Sequence, residues 1–279
     1  MRSNKYLSAF IVMLISLSSI APIQKLAAQG NLVLTPKRVV FEGNRTSESI
    51  NLANSGKDTA RYVVSLIHLK MKEDGSFEEI TQAQAGELSA EPYLRYFPRT
   101  VTLAPNEAQV IRVQLNKPAQ IKSGEYRSHL YVRAVPLPTP LGQENKEQSS
   151  TIAVKLVPVF GLSIPVIVRT GQTNGSVTFS DLSLNKSAKT VSFALNRTGN
   201  ASVYGDIAIT HTAPDGKKTL VGLVKGLAVY TPNLRRLVQL ALDPNAAVDY
   251  TKGKLTAMFT VSGENNQEKK LAEAELVLQ

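Results

Sequence analysis

The stretch T-I-A-V-K-L-V-P-V-F-G-L-S-I-P-V-I-V-R, Thr151 to Arg169, decides how the chain is read. Taken with period two, Ile152, Val154, Leu156, Pro158, Phe160, Leu162 and Ile164 share one face, and the opposite face is smaller and more mixed. β-branched residues dominate, which predicts a strand rather than a helix. The run is about three times the usual strand length of 5–6 residues. Pro158 and Pro165 lack the N–H that a central strand donates, so the strand is expected at a sheet edge. A long apolar edge is an aggregation hazard unless it serves to pair with another chain.

Outward from this stretch the pattern is short β segments separated by turn residues. Asn31–Phe41 reads as a strand interrupted at Pro36, followed by Ser49–Ala53, Arg61–Lys72 and a hairpin turn at Asp74-Gly75. Residues 78–92 are the least strand-like and predict a loop or short helix. Val101–Leu103 and Val110–Leu115 flank a turn at Ala104–Glu107, Gly124–Pro136 is a further strand, and the polar residues 137–150 form a loop. Beyond a linker at Thr170–Gly175 come Val177–Leu184, Thr190–Asn196, Val203–Thr210, Lys218–Tyr230, Leu234–Leu242, Lys254–Ser262 and Leu271–Leu278. A weak internal echo joins the halves: strands ending at Asn54 and Asn196 each turn at a glycine and resume near Tyr62 and Tyr204. The expected fold is all-β, with two immunoglobulin-like sandwiches divided as residues 30–169 and 170–279.

Residues 1–29 read as a secretory leader: Arg2 and Lys5 precede an apolar run from Ala9 to Ile23, with small residues near Ala27-Ala28. A retained N-terminal anchor is the other reading. Lys155 interrupts the only later run approaching the ~18 apolar residues of a membrane span, so no stable membrane insertion is expected. Removing Arg2, Lys5 and Lys25 with the leader takes the formal charge from +10 to +7, spread without a basic block. Few aromatics and no tryptophan argue against nucleic-acid binding by stacking. The absence of cysteine excludes thiol catalysis and disulfides. His68, His129 and His211 stand apart, and no zinc, nucleophile-elbow, Walker or dinucleotide motif occurs. No catalytic residue, metal or cofactor is expected.

Three segments taken in order carry a resemblance: L-T-P-K-R-V-V-F at Leu34–Phe41, L-A-P-N-E-A-Q-V-I-R-V at Leu103–Val113, and G-E-Y-R-S-H-L-Y-V-R-A-V-P at Gly124–Pro136. With the long strand ending I-P-V-I-V-R, the sequence resembles the periplasmic pilus (fimbrial) chaperones of the bacterial chaperone–usher pathway. The resemblance implies a boomerang of two immunoglobulin-like domains working in the periplasm. It implies donation of the strand carrying Ile152, Val154, Leu156 and Phe160 to an incomplete pilin subunit, and delivery of that subunit to an outer-membrane usher. It also implies that Arg38 anchors the subunit's terminal carboxylate, although the position matching the family's second cation, a lysine, is Pro165. Glu125 and Arg169 match a pair that braces the domain interface. The other readings of these residues are a surface base beside Lys37 and two separate solvated charges. An unoccupied donor edge would be open to self-association. A structural or adhesive exported protein of tandem immunoglobulin-like domains is the alternative from another class.

Overall fold

The computed structural model describes residues 32–82, 84–116, 118, 120–135, 159–262 and 268–279. Ten strands make the first unit: β1 (Leu32–Thr35), β2 (Val39–Phe41), β3 (Ser47–Asn54), β4 (Ala60–Met71), β5 (Phe77–Ile80), β6 (Leu94–Phe97), β7 (Thr100–Leu103), β8 (Ala108–Leu115), β9 (Gly124–Val135) and β10 (Gly161–Thr170). One sheet runs β1-β3-β8-β6 and the other β2-β10-β9-β4-β5, with β7 also paired to β4. Pro36 marks the point where one segment leaves the first sheet and enters the second: β1 pairs β3, and β2 runs parallel to β10. Period-two patterning closes the sandwich. Ile50, Leu52, Ile111 and Val113 from one sheet meet Tyr62, Val64, Leu130, Val132, Ile164, Val166 and Val168 from the other.

The second unit holds β11 (Gly175–Asn185), β12 (Thr190–Gly199), β13 (Val203–Thr212), β14 (Lys218–Val229), β15 (Arg235–Ala241), β16 (Lys254–Ser262) and β17 (Glu268–Val277). Its sheets run β11-β12-β15 and β14-β13-β16-β17 around Phe193, Leu195, Ile207, Ile209, Leu255 and Phe259. The fold is all-β, two immunoglobulin-like sandwiches. The stretch 78–92 contributes the end of β5 and one 3₁₀ turn, Glu91–Tyr93.

β10 departs from the free edge expected of the long strand. It pairs with β9 along its whole length, and β2 covers its other side at Val166–Val168. On that second side β2 leaves Gly161–Pro165 before it and Arg169–Thr170 after it without a strand partner among the described residues, and it joins directly after the proline that has no N–H to give. Ile152, Val154, Leu156 and Pro158 lie outside the described residues.

The internal echo shares a shape but not a chemistry. Asn54 is buried, and its amide donates to the carbonyls of Asp58 (2.8 Å) and Leu103 (3.1 Å) while its Oδ1 accepts from Gly56 N (3.0 Å). In the second sandwich that task falls to Arg197. Its guanidinium donates to Asn233 O (2.8 Å), Gly199 O (2.8 Å) and Ala201 O (2.9 Å), while the Asn196 side chain donates to Ser180 Oγ. Asn54→Ala should therefore cost about 1–3 kcal/mol by stranding buried backbone groups. Asn196→Ala should stay within about 0.5 kcal/mol. Urea unfolding of the two variants checks the difference.

Candidate functional site

The antiparallel register of β9 and β10 places Arg169 opposite Glu125, Ile167 opposite Arg127 and Pro165 opposite His129. These residues occupy the face of the sheet turned away from the first core, because their even-numbered neighbours on β10, Ile164, Val166 and Val168, fill that core. The second sandwich packs on this outer face. Met71, Ile167, Ala228 and Tyr230 form an apolar cluster between the two, with Val40 and Tyr204 against it.

Charged groups surround that cluster. The Glu125 side chain is 0% exposed. Its Oε2 accepts from Arg169 Nε (3.0 Å) and from Ser202 N (3.0 Å), and Thr231 Oγ1 lies 3.5 Å from Oε1. Arg169 also donates through Nη2 to Ser202 O (3.1 Å) and through Nη1 to Glu42 Oε2 (3.4 Å). Arg38, just before β2, donates through Nη2 to Ser202 Oγ (3.4 Å), and its guanidinium lies 4.6 Å above the Tyr204 ring. Its buried Nε has no hydrogen-bond partner among the described residues. Burial lowers the affinity of Arg38 for its proton, and Arg169 pushes the same way, yet a guanidinium stays charged under ordinary conditions.

Ser202 is the junction: Glu125, Arg169 and Arg38 each meet a different atom of it. Arg38, Val40, Glu42, Arg169, Ser202 and Tyr204 together line an open cleft between the sandwiches. The parallel register Val166 to Val39 puts Pro165 level with Arg38. The cleft's cation therefore stands where the unpaired side of β10 ends.

Further along, Arg127 stacks 4.4 Å over the Tyr230 ring and donates to Leu69 O (3.1 Å). His129 is buried edge-on against Phe77 (5.6 Å) and Tyr230 (6.4 Å). A second clamp is the Lys72–Ser76 turn, where Leu237 N donates to Glu73 O (2.6 Å) and Asn233 Nδ2 to Met71 O (2.8 Å). Gly75 has φ +82°, and a Cβ there would run into the Arg236 guanidinium.

Sequence reading had singled out Arg38, Glu125 and Arg169, and the structure brings these three together around Ser202. Phe160 lies at the far end of β10, away from them. Its carbonyl accepts from Ala134 N (2.9 Å), but the residue is 51% exposed, and Leu162 is 43% exposed. Ser202, Tyr230, Glu42, Arg127 and the clustering of His129 were missed. The alternation Glu125-Arg127-His129 was a usable signal, since three polar residues at period two mark one face of a strand. No group of three or more potential metal ligands gathers among the described residues.

The last strand of the first sandwich thus packs against both its own core and a second sandwich, and a cleft carrying Arg38 and Arg169 opens between the two. The model of the pili and flagellar-assembly chaperone family, PapD N-terminal domain, matches residues 31–169. The chain belongs to this family of pilus assembly chaperones. No curated protein matches the sequence. Among solved structures, the CupB2 chaperone of Pseudomonas aeruginosa aligns at 12% identity over 88% of this chain and 100% of that chain, with a TM-score of 0.41. The Salmonella enterica SafA pilin in complex with the SafB chaperone aligns at 14% identity over 89% and 97%, with a TM-score of 0.44. The CsuC–CsuE chaperone–tip adhesion subunit pre-assembly complex of Acinetobacter baumannii aligns at 14% over 86% and 98%, with a TM-score of 0.41. Overlap this loose adds nothing to the fold already described.

The interface also carries a pH dependence. Burial pulls the His129 pKa from 6.5 down to about 3, with Arg127 and His68 acting in the same direction. Below the unfolded pKa the unfolded chain takes up a proton that the folded chain refuses, so stability is lost as pH falls from about 6.5 toward 3, at up to about 1.4 kcal/mol per pH unit. His129→Gln should flatten that part of the profile in urea titrations run between pH ~7 and ~4. An unchanged slope would place the acid sensitivity elsewhere.

Proposed function

We propose that this chaperone captures pilin subunits by lending them the strand that leads into β10, and passes them to an outer-membrane usher. The single observation that carries this reading is the parity of β10. Ile164, Val166 and Val168 are buried in the core, while Leu162 and Phe160, on the same face, are exposed beside the unpaired stretch Gly161–Pro165. Leu162 lies opposite Val132 and Phe160 is level with Ala134, both buried, so the apolar face continues beyond the point where the described residues cover it.

The donor side chains in this proposal are Ile152, Val154, Leu156 and Phe160, of which only Phe160 is among the described residues. Burying four such side chains would contribute roughly 6–12 kcal/mol gross, much of it offset by association and ordering entropy. Arg38 is the carboxylate anchor, supported by its place at the end of the free edge and by the lack of any carboxylate within ion-pair distance of it among the described residues. Glu125 and Arg169 act as the brace, supported by their shared hold on Ser202. The reading places the chain in the periplasm after removal of residues 1–29, with domains at 30–169 and 170–279. An unloaded donor edge is open to self-association.

Replacing Val154, Leu156 and Phe160 together with Asp should abolish co-purification with a co-expressed pilin subunit while the circular-dichroism spectrum and melting temperature stay near wild type. Subunit capture that survives with the fold intact would remove strand donation. Arg38→Ala should weaken capture about tenfold or more, the scale of a lost hydrogen bond to a charged group, whereas Lys37→Ala should change little. Equal effects would remove Arg38 from the anchor role.

A further inference from the structure

The cleft has one cation at the position of Pro165 and Arg38 where a two-cation anchor needs another. Arg169 has three donors pointing in different directions. Nε is committed to the fully buried Glu125 carboxylate and Nη2 to the carbonyl of Ser202. Nη1 alone meets an exposed partner, Glu42, whose side chain is 58% exposed and whose contact is the longest of the three at 3.4 Å. Glu42 reaches it because it continues the alternation of Arg38 and Val40 along β2. The register Val168 to Phe41 sets it beside Arg169. Ser202 takes Arg38 on its hydroxyl and Arg169 on its carbonyl, so the two guanidiniums are neighbours across one residue.

We infer that Arg169 supplies the second cation of the anchor through Nη1, and that Glu42 occupies this donor until a peptide's terminal carboxylate displaces it. The inference rests on the reading of Arg38 as a carboxylate anchor. An exposed ion pair stabilises by only a fraction of a kcal/mol up to about 1 kcal/mol. Glu42 is thus a weak competitor, which lowers capture slightly and eases release. A carboxylate bridging Arg38 and Arg169 would also offset the repulsion between two like charges that share a partly buried site.

The test uses the full-length mature chain, wild type and Glu42→Gln, titrated calorimetrically with a synthetic peptide of alternating apolar residues. One peptide ends in a free carboxylate and a control ends in an amide. Glu42→Gln should bind the free-carboxylate peptide about two- to fivefold tighter, the factor matching removal of an exposed competing pair, with no change for the amide. Equal or weaker binding of the carboxylate peptide, or an equal gain for both peptides, overturns the role of Glu42. If the wild-type protein does not distinguish the two peptides, the anchor reading fails and this inference with it. If the wild type distinguishes them and Arg38→Ala abolishes the distinction, the anchor stands, and the Glu42→Gln result then decides the Arg169–Glu42 exchange alone.

Discussion

Everything between the two sandwiches depends on the burial of one carboxylate. Glu125 exposes none of its side chain, and a carboxylate taken out of water costs several kcal/mol unless its lone pairs are met. One partner, Arg169, comes from the neighbouring strand of its own sheet; the others, Ser202 N and Thr231 Oγ1, come from the second sandwich. The charge is therefore satisfied only when the sandwiches are docked. Docking and charge neutralisation become a single event, and the apolar cluster of Met71, Ile167, Ala228 and Tyr230 adds a non-directional contribution to what Glu125 makes directional.

β10 shows how one strand can be asked to satisfy three surroundings. Its even residues from Ile164 onward belong to the first core, Ile167 belongs to the cluster between sandwiches, and Arg169 belongs to the charged junction at Ser202. Toward its start the same even face emerges at Leu162 and Phe160, exposed and with no strand over it among the described residues. Pro165 separates these regimes, because β2 pairs only from Val166 onward. The proline is thus a boundary marker: it withholds the N–H that would otherwise invite β2, or any neighbour, to continue the ladder through that point.

Period-two alternation made the strands and the all-β class legible, since Ile50-Leu52, Ile111-Val113 and Ile164-Val166-Val168 each declare a buried face without any tertiary information. Pro36 was legible as an interruption, but its consequence, one segment shared by two sheets, was not. The long strand looked like a free edge because a three-residue parallel partner, β2, leaves no local trace in the sequence of β10. At the site, Arg38, Glu125 and Arg169 were reached through resemblance to a family. Ser202, which joins them, is an ordinary serine after a turn, 77 residues from Glu125. Contacts of that range depend on register between units, and composition carries no record of register. His129 illustrates the same gap. It reads as an isolated strand histidine, whereas burial among Phe77 and Tyr230, with Arg127 and His68 acting the same way, lowers its pKa.

The relative positions of cleft and free edge have a consequence for register. Arg38 stands level with Pro165, and the unpaired side of β10 runs from there back through Gly161. A strand laid along that side with its terminal carboxylate held at Arg38 has its pairing fixed from one end, at about 3.3 Å of rise per residue. Register matters here more than in most pairings. A slip of one residue would turn every side chain of the incoming strand to the wrong face, and main-chain hydrogen bonds would be nearly indifferent to the error. An anchored charge is not indifferent. Moving a carboxylate by one residue takes it out of reach of a guanidinium whose position is set by Ser202 and the Tyr204 ring. Under the proposed strand pairing, the cation would choose the register, while the apolar face of the strand would supply most of the affinity.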